Sequence, residues 1–178
     1  TGDDTIDGGA GRDLLDMGGS LANGLRGRGA AGNVFGTFVN TSQAFAYTIS
    51  GIENVRGTAY SDRINGDASD NVFTGLLGND YLAGRGGNDR LSGGDSRDTL
   101  EGGDGDDRLD GGDQDDLFLA GDGDDFLDGG SGDDVMYAGT GADELYGRDG
   151  DDIMGGGPGA DILFGGLGDD TIYAGAQD

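Results

Sequence analysis

The sequence predicts an all-β solenoid, a roll of stacked parallel strands. Three observations predict it: a nine-residue period through the C-terminal two-thirds of the chain, glycine crowded into one part of each period, and one position that is always apolar. Stepping by nine from Gly57 aligns thirteen units with no insertion or deletion, such as GRGGNDRLS from Gly84, GGDGDDRLD from Gly102, GGSGDDVMY from Gly129 and GGLGDDTIY from Gly165. The eighth position reads Ile64, Phe73, Leu82, Leu91, Leu100, Leu109, Phe118, Leu127, Met136, Leu145, Met154, Leu163 and Ile172. The sixth reads Asp62, Asn71, Asp80, Asp89, Asp98, Asp107, Asp116, Asp125, Asp134, Asp143, Asp152, Asp161 and Asp170.

Each part of the unit has a conformational reading. Positions one to five are dense in glycine, which takes the left-handed and tight-turn conformations that a Cβ opposes. Positions seven to nine carry β-branched, aromatic or aliphatic residues over a span too short for a helix, and so predict a three-residue strand. Side chains alternate along a strand, so the eighth faces inward while the seventh and ninth face out. One six-residue turn and one such strand bury nothing alone. Stacked copies coil into a parallel roll with an apolar ladder inside each sheet.

Composition narrows the chemistry. The 178 residues include 43 Gly, 33 Asp, 3 Glu and 10 Arg, with no Lys, His, Cys or Trp, for a net charge of −26. That balance in an unliganded chain is a signature of disorder. Absent Cys and His exclude disulfides, thiolate and imidazole metal sites, thiol nucleophiles and the Ser-His triad. So acidic a chain repels nucleic acid. No apolar run approaches the ~20 residues that span a membrane.

Stacking sharpens the problem of the acids. Strands ~4.8 Å apart bring equivalent Asp side chains together. At that spacing two unit charges repel by roughly 1 kcal/mol in water and about 3–4 kcal/mol at an effective dielectric of 20. Cations between them remove the repulsion, and the turn carbonyls need donors or ions of their own. Carboxylate and carbonyl oxygens in a flexible loop suit Ca²⁺ rather than Mg²⁺ or Zn²⁺.

The unit, GGxGxDxUx with U a large apolar residue, resembles the nonapeptide of the RTX (hemolysin-type calcium-binding) repeat proteins. The resemblance covers residues 57–173 continuously, and two further units fit at the start, GDDTID from Gly2 and GGAGRDLLD from Gly8. It implies a right-handed parallel β-roll with two nonapeptides per coil and Ca²⁺ between turns one coil apart. The ligands would be sixth-position side chains and turn carbonyls. One edge would hold Asp62, Asp80, Asp98, Asp116, Asp134, Asp152 and Asp170, and the other Asn71, Asp89, Asp107, Asp125, Asp143 and Asp161. About eleven inter-coil sites follow, with Asp4 and Asp13 as further ligand candidates. The resemblance also implies a non-enzymatic module secreted by the type I route of a Gram-negative bacterium and folded by Ca²⁺ outside the cell. Two other classes stay open: the repeat module of a secreted polysaccharide-modifying enzyme, protease or lipase, and a structural adhesin or surface-layer segment. Thr1 falls on a third position and Asp178 on a fifth, as expected for a piece of a longer protein.

The departures carry expectations of their own. Asn71 weakens or alters the first site on its edge. Fourth-position Gly is missing at Tyr60, Ser69, Ser96 and Gln114, where the turns are expected to distort, and Ala120 and Ala138 replace a first Gly. Fifth-position acids (Asp106, Asp115, Asp124, Asp133, Asp151 and Asp169) read as solvated charge rather than ligands. Residues 17–47 break the phase with strand-like runs at 33–39 and 44–49. They read as a hairpin capping the first coil, with a ligand-binding insert as the alternative. The organisation is therefore N-terminal repeats at 1–16, a β-rich insert at 17–56 and the roll at 57–178.

No catalytic motif is found. The GLRGRG run at 24–29 lacks the Lys-Ser/Thr of a phosphate loop, the DGDGDD stretches lack the Glu and helices of an EF-hand, and there is no G-x-S-x-G elbow. On the outward positions, Leu117, Leu119, Val135, Tyr137, Ile153 and Tyr173 gather on one face of the later coils, and Phe126, Tyr146, Ile162 and Phe164 on the other. The first group is expected to contact a neighbouring domain, a cap or a second copy.

Overall fold

A computed structural model describes residues 4–7, 14–16, 36–39, 46–50, 54–57 and 59–175, with side chains described from 54 onward. These residues form strands and no helix. In chain order the strands are β1 (Asp4–Asp7), β2 (Leu14–Asp16), β3 (Gly36–Val39), β4 (Ala46–Ser50), β5 (Asn54–Arg56), β6 (Arg63–Asn65), β7 (Val72–Leu77), β8 (Tyr81–Gly86) and β9 (Arg90–Asp95). They continue as β10 (Thr99–Asp104), β11 (Arg108–Asp113), β12 (Leu117–Asp122), β13 (Phe126–Ser131), β14 (Val135–Thr140), β15 (Glu144–Asp149), β16 (Ile153–Gly155), β17 (Ile162–Leu167) and β18 (Thr171–Tyr173).

Successive units alternate between two parallel sheets, which makes a β-roll of about seven turns. Even-numbered strands β6 to β18 form a seven-stranded sheet, and β2, β5 and the odd-numbered strands β7 to β17 form an eight-stranded one. Register steps by eighteen residues: Leu100 pairs with Leu82 and Phe118, and Leu109 with Leu91 and Leu127. Each sheet therefore carries one eighth-position ladder inward, and these side chains are buried from Ile64 to Met154. Leu163 is only partly buried and Ile172 is 45 % exposed, because no further coil covers them among the described residues.

The strands are longer than the predicted three residues. Most span six, positions seven to nine and on through one to three of the next unit, which leaves a turn of only three residues. The corner falls at position two, which has a positive φ from Leu76 (92°) through Arg85 (82°) and Gly103 (124°) to Gly166 (122°). That left-handed residue bends the strand while its pairing continues, as in Gly103 with Gly121. A second positive φ recurs at position four. Ser96 (84°) and Gln114 (77°) adopt it, so the expected distortion does not occur there; Tyr60 and Ser69 do not adopt it, and their turns differ. Position one has no positive φ and is buried in all thirteen units, including Ala120 and Ala138.

Near the N-terminus, β2 joins the eight-stranded sheet through β5, with Leu15 opposite Val55. Val55 is buried, so the regular ladder includes residues 54–56, ahead of Gly57. Strands β3 and β4 pair antiparallel, in line with the two strand-like runs; β4 also pairs parallel with β1, and β3 lies beside β6. The hairpin thus stands between β1 and the end of the seven-stranded sheet. The remainder of the 17–47 segment lies outside the described residues.

Two substitutions separate ladder from corner. Leu109→Ala is expected to cost about 2–5 kcal/mol in urea melts at fixed Ca²⁺, against under about 1 kcal/mol for the outward Leu119→Ser. Gly130→Ala is expected to cost more than about 1 kcal/mol, because its Cβ would press on the Gly112 carbonyl at a φ of 105°.

Candidate metal centre

The three-residue turn ends on position six, where the chain enters the next strand with its side chain turned into the roll. These side chains are buried from Asp62 to Asp152, each 5 % exposed or less, while Asp161 and Asp170 on the last coil are half-buried. They form two files, one on each edge. In both, the backbone N–H of each sixth residue donates to Oδ1 of its equivalent one coil later. Asp62 donates to Asp80 at 2.7 Å, Asn71 to Asp89 at 2.6 Å, Asp80 to Asp98 at 2.7 Å and Asp89 to Asp107 at 2.7 Å. The series continues through Asp116, Asp125, Asp134, Asp143 and Asp152 to Asp161 and Asp170, eleven bonds of at most 3.2 Å.

The second carboxylate oxygen is treated differently. Oδ2 of Asp80, Asp89, Asp98, Asp107, Asp116, Asp125, Asp134, Asp143, Asp152 and Asp161 is buried without a hydrogen-bond partner. Leaving one such acceptor unsatisfied costs about 1–3 kcal/mol, and more when it is charged. Beside it lies the bare face of the first-position residue. A methyl group on Gly57 would stand 2.5 Å from the Gly75 carbonyl oxygen and 2.7 Å from Asp62 Oδ2. One on Gly93 would stand 2.8 Å from the Gly111 carbonyl and against Asp98 Oδ2, and Gly111 repeats this with the Gly129 carbonyl at 2.7 Å and Asp116 Oδ2. Carboxylate and carbonyl oxygens from adjacent coils thus face one small cradle that a larger side chain would fill.

The donor chemistry decides which ion fits. No cluster of three or more carboxylates forms among the described residues, so backbone oxygens must complete any shell. A repeated set of one or two carboxylates with carbonyls, all oxygen and glycine-walled, fits Ca²⁺. It offers zinc neither nitrogen nor sulfur. Burial is the main force on these acids. It raises Asp80, Asp89 and Asp116 from the usual 3.8 to about 8, Asp125 and Asp134 to about 7, and Asp98 and Asp107 to about 6. Asp143 and Asp152 move the same way. The N–H bond from the preceding coil opposes the shift and neighbouring carboxylates add to it.

The other candidates divide. Asn71 occupies its file, but its Nδ2 is a buried, unpartnered donor where its neighbours present an oxygen, and its Oδ1 accepts the Asp67 N–H at 3.3 Å. The Asp4 side chain and Asp13 lie outside the described residues. Fifth-position acids sit mostly on the surface, yet they do more than solvate the chain. Asp106 Oδ1 accepts the Asp124 N–H at 3.0 Å, Asp133 that of Asp151 at 2.9 Å and Asp151 that of Asp169 at 2.8 Å. This outer ladder reaches forward one coil while the sixth-position ladder reaches back. Its only trace in the sequence is the acid preference of position five, which looks the same as a solvated charge.

These shifts give the ion-free roll a pH dependence of definite sign. Between about pH 4 and pH 8 the folded form holds protons that the unfolded chain has released, so its stability falls as pH rises. In excess chelator, circular dichroism is expected to show more β structure at pH 4.5 than at pH 8 (both roughly placed within that window). With Ca²⁺ present protons compete, so the ion concentration at mid-folding is expected to rise on acidification.

A family model described as RTX calcium-binding nonapeptide repeat (4 copies) matches residues 1–19, 47–82, 83–118, 110–145, 119–154, 128–163 and 155–178. The gap at 20–46 falls within the stretch that breaks the nine-residue phase. No curated protein matches the chain. With most of its length matched, and with a buried aspartate in ten of the thirteen nonapeptides, the chain belongs to the RTX calcium-binding nonapeptide repeat family.

Proposed function

We propose that this roll is a Ca²⁺-folded module of a secreted protein, unfolded where Ca²⁺ is scarce and structured outside the cell. The observation that carries the reading is the row of ten buried carboxylate oxygens without partners. In this reading Asp80, Asp89, Asp98, Asp107, Asp116, Asp125, Asp134, Asp143, Asp152 and Asp161 hold the ions together with carbonyls of the flanking coils. Asp62 and Asp170 serve at the ends of their file, and Asn71 serves weakly. When bound, the cation supplies the positive charge that the interior lacks.

Magnitudes support a switch. Extracellular Ca²⁺ modules bind at about 10⁻⁴–10⁻³ M, so at ~0.1 mM affinity and ~1 mM ion each site contributes roughly 1.4 kcal/mol. Eleven independent sites would contribute about 15 kcal/mol, comparable with the whole stability of a domain. Sites this weak stay empty in a cell interior whose own buffers bind orders of magnitude more tightly. The roll is non-catalytic in this reading, because its buried acids are committed to holding coils together.

Two measurements test it. At neutral pH, circular dichroism is expected to show coil in excess chelator and a steep, cooperative gain of β structure as Ca²⁺ is added; a full β spectrum in chelator refutes the reading. Asp116→Asn keeps the bond from the Asp98 N–H and removes one buried charge. In Ca²⁺ titrations it is expected to weaken folding by about 1.4 kcal/mol, the loss of roughly one site.

A further inference from the structure

Outward side chains are set by neither the ladder nor the acid files, and on the seven-stranded sheet they build a groove. The ninth-position row places Leu119, Tyr137, Gly155 and Tyr173 side by side on adjacent strands. Tyr137 is 49 % and Tyr173 62 % exposed, and Gly155 lies between them. The Gly155 backbone is not in the left-handed region, so its conformation does not require glycine. A methyl group there would meet the Tyr137 ring at 3.4 and 3.8 Å and the Met136 carbonyl oxygen at 3.9 Å, which shows that this ring leans over the gap. With Pro158 and Thr140 at one end, the two tyrosines bound a groove of about 440 Å³.

Its width suits one flat group. Strands two apart lie about 9.6 Å from each other. A planar guest in van der Waals contact with both rings needs about 7–8 Å, and the lean of Tyr137 takes up the difference.

Charge selects the guest. Aromatic faces attract cations, and this chain already covers three of its outward rings with arginine. Arg63 stands 3.7 Å from the Tyr81 ring centre, Arg108 4.0 Å from Phe126 and Arg148 4.7 Å from Tyr146. Among the described residues, Tyr137 and Tyr173 have no such arginine. At the rim, the Thr140 hydroxyl donates to Asp122 Oδ1 at 2.8 Å and so holds a carboxylate beside the opening. A sugar needs several hydrogen bonds, and the lining offers little beyond Thr140 and the phenol groups. The matching face of a second copy, with Leu119, Tyr137 and Tyr173 exposed, presents no cation to these rings. We propose that the Tyr137–Gly155–Tyr173 groove receives an arginine side chain of a basic polypeptide partner, its guanidinium plane lying between the two rings.

The test is calorimetric titration of the Ca²⁺-loaded chain with a blocked tri-arginine peptide, with tri-lysine and a neutral oligosaccharide as comparators. Circular dichroism verifies that each variant is folded. Tri-arginine is expected to bind several-fold more tightly than tri-lysine, and Y137A/Y173A to lose about tenfold in affinity for it. Gly155→Leu fills the groove and retains both tyrosines. It is expected to give the same loss, so it decides the matter if the double variant does not fold. Equal affinity of wild type and folded variants for tri-arginine overturns the proposal. So does equal affinity for tri-lysine, oligosaccharide binding that Gly155→Leu abolishes, or sedimentation showing self-association that depends on the two tyrosines.

Discussion

A buried carboxylate, recurring in ten of the thirteen nonapeptides, is the constraint on which this structure depends. Two demands meet at position six. The eighth-position ladder requires neighbouring coils at strand spacing, so that Leu82 meets Leu100 and Leu100 meets Phe118. The same spacing drives each Asp out of water and up against its equivalent. The backbone answers half of this cost, because Oδ1 accepts the N–H of the preceding coil. Oδ2 has no such answer within the chain. Apolar burial and acid burial are therefore coupled, and whatever neutralises the acids governs whether the ladder forms.

The coupling gives most positions of the unit a physical cause. One, six and eight point inward; two and four take left-handed turns; the rest meet solvent except at Ala83 and Gly86. Position one must be small because the Oδ2 atoms and the next coil's carbonyl crowd it, and Ala120 and Ala138 show the largest side chain that the roll admits there. Positions two and four are less strict. Leu76, Arg85, Ser96, Gln114 and Arg148 hold the same backbone despite their Cβ atoms. A few strained residues among many glycines are tolerated because each corner is held on both sides by strand pairing.

Legibility followed chemistry. Leu109 and Asp107 could be placed from the sequence because an apolar residue and an acid at fixed phase are visible as such. Strand length was not visible, since the glycines that read as turn are strand residues bent at a corner. Burial at Gly102 left no signal, because glycine carries no side chain whose polarity could be read. The outer ladder was hidden for the opposite reason: Asp124 accepting the Ala142 N–H looks in sequence like any surface acid. The roll strand β5 was not visible because it precedes Gly57, the first glycine of the uninterrupted metre.

What the metre leaves unassigned is informative in its own right. Positions seven and nine have no role in the ladders or the files, so the roll would form with any strand-compatible residue there. Yet these positions change along the axis. The first coils of the seven-stranded face carry the Arg63–Tyr81–Glu101 chain of contacts, in which the Tyr81 hydroxyl donates to Glu101. On the eight-stranded face Tyr146 stacks on Phe164 at 5.2 Å and meets Phe126 tilted at 5.5 Å, and Arg148 clasps Asp128 through two bonds. These aromatics are satisfied within the chain by neighbouring rings and arginines. The Tyr137–Tyr173 row is built from the same kind of residue but lacks the internal cation. Because an ion-dependent fold imposes no demand on that row, the difference belongs to the surface and to what the surface meets. The Asp122 carboxylate that Thr140 holds at the rim sets the sign of that encounter, and the gap at Gly155 sets where on the roll it takes place.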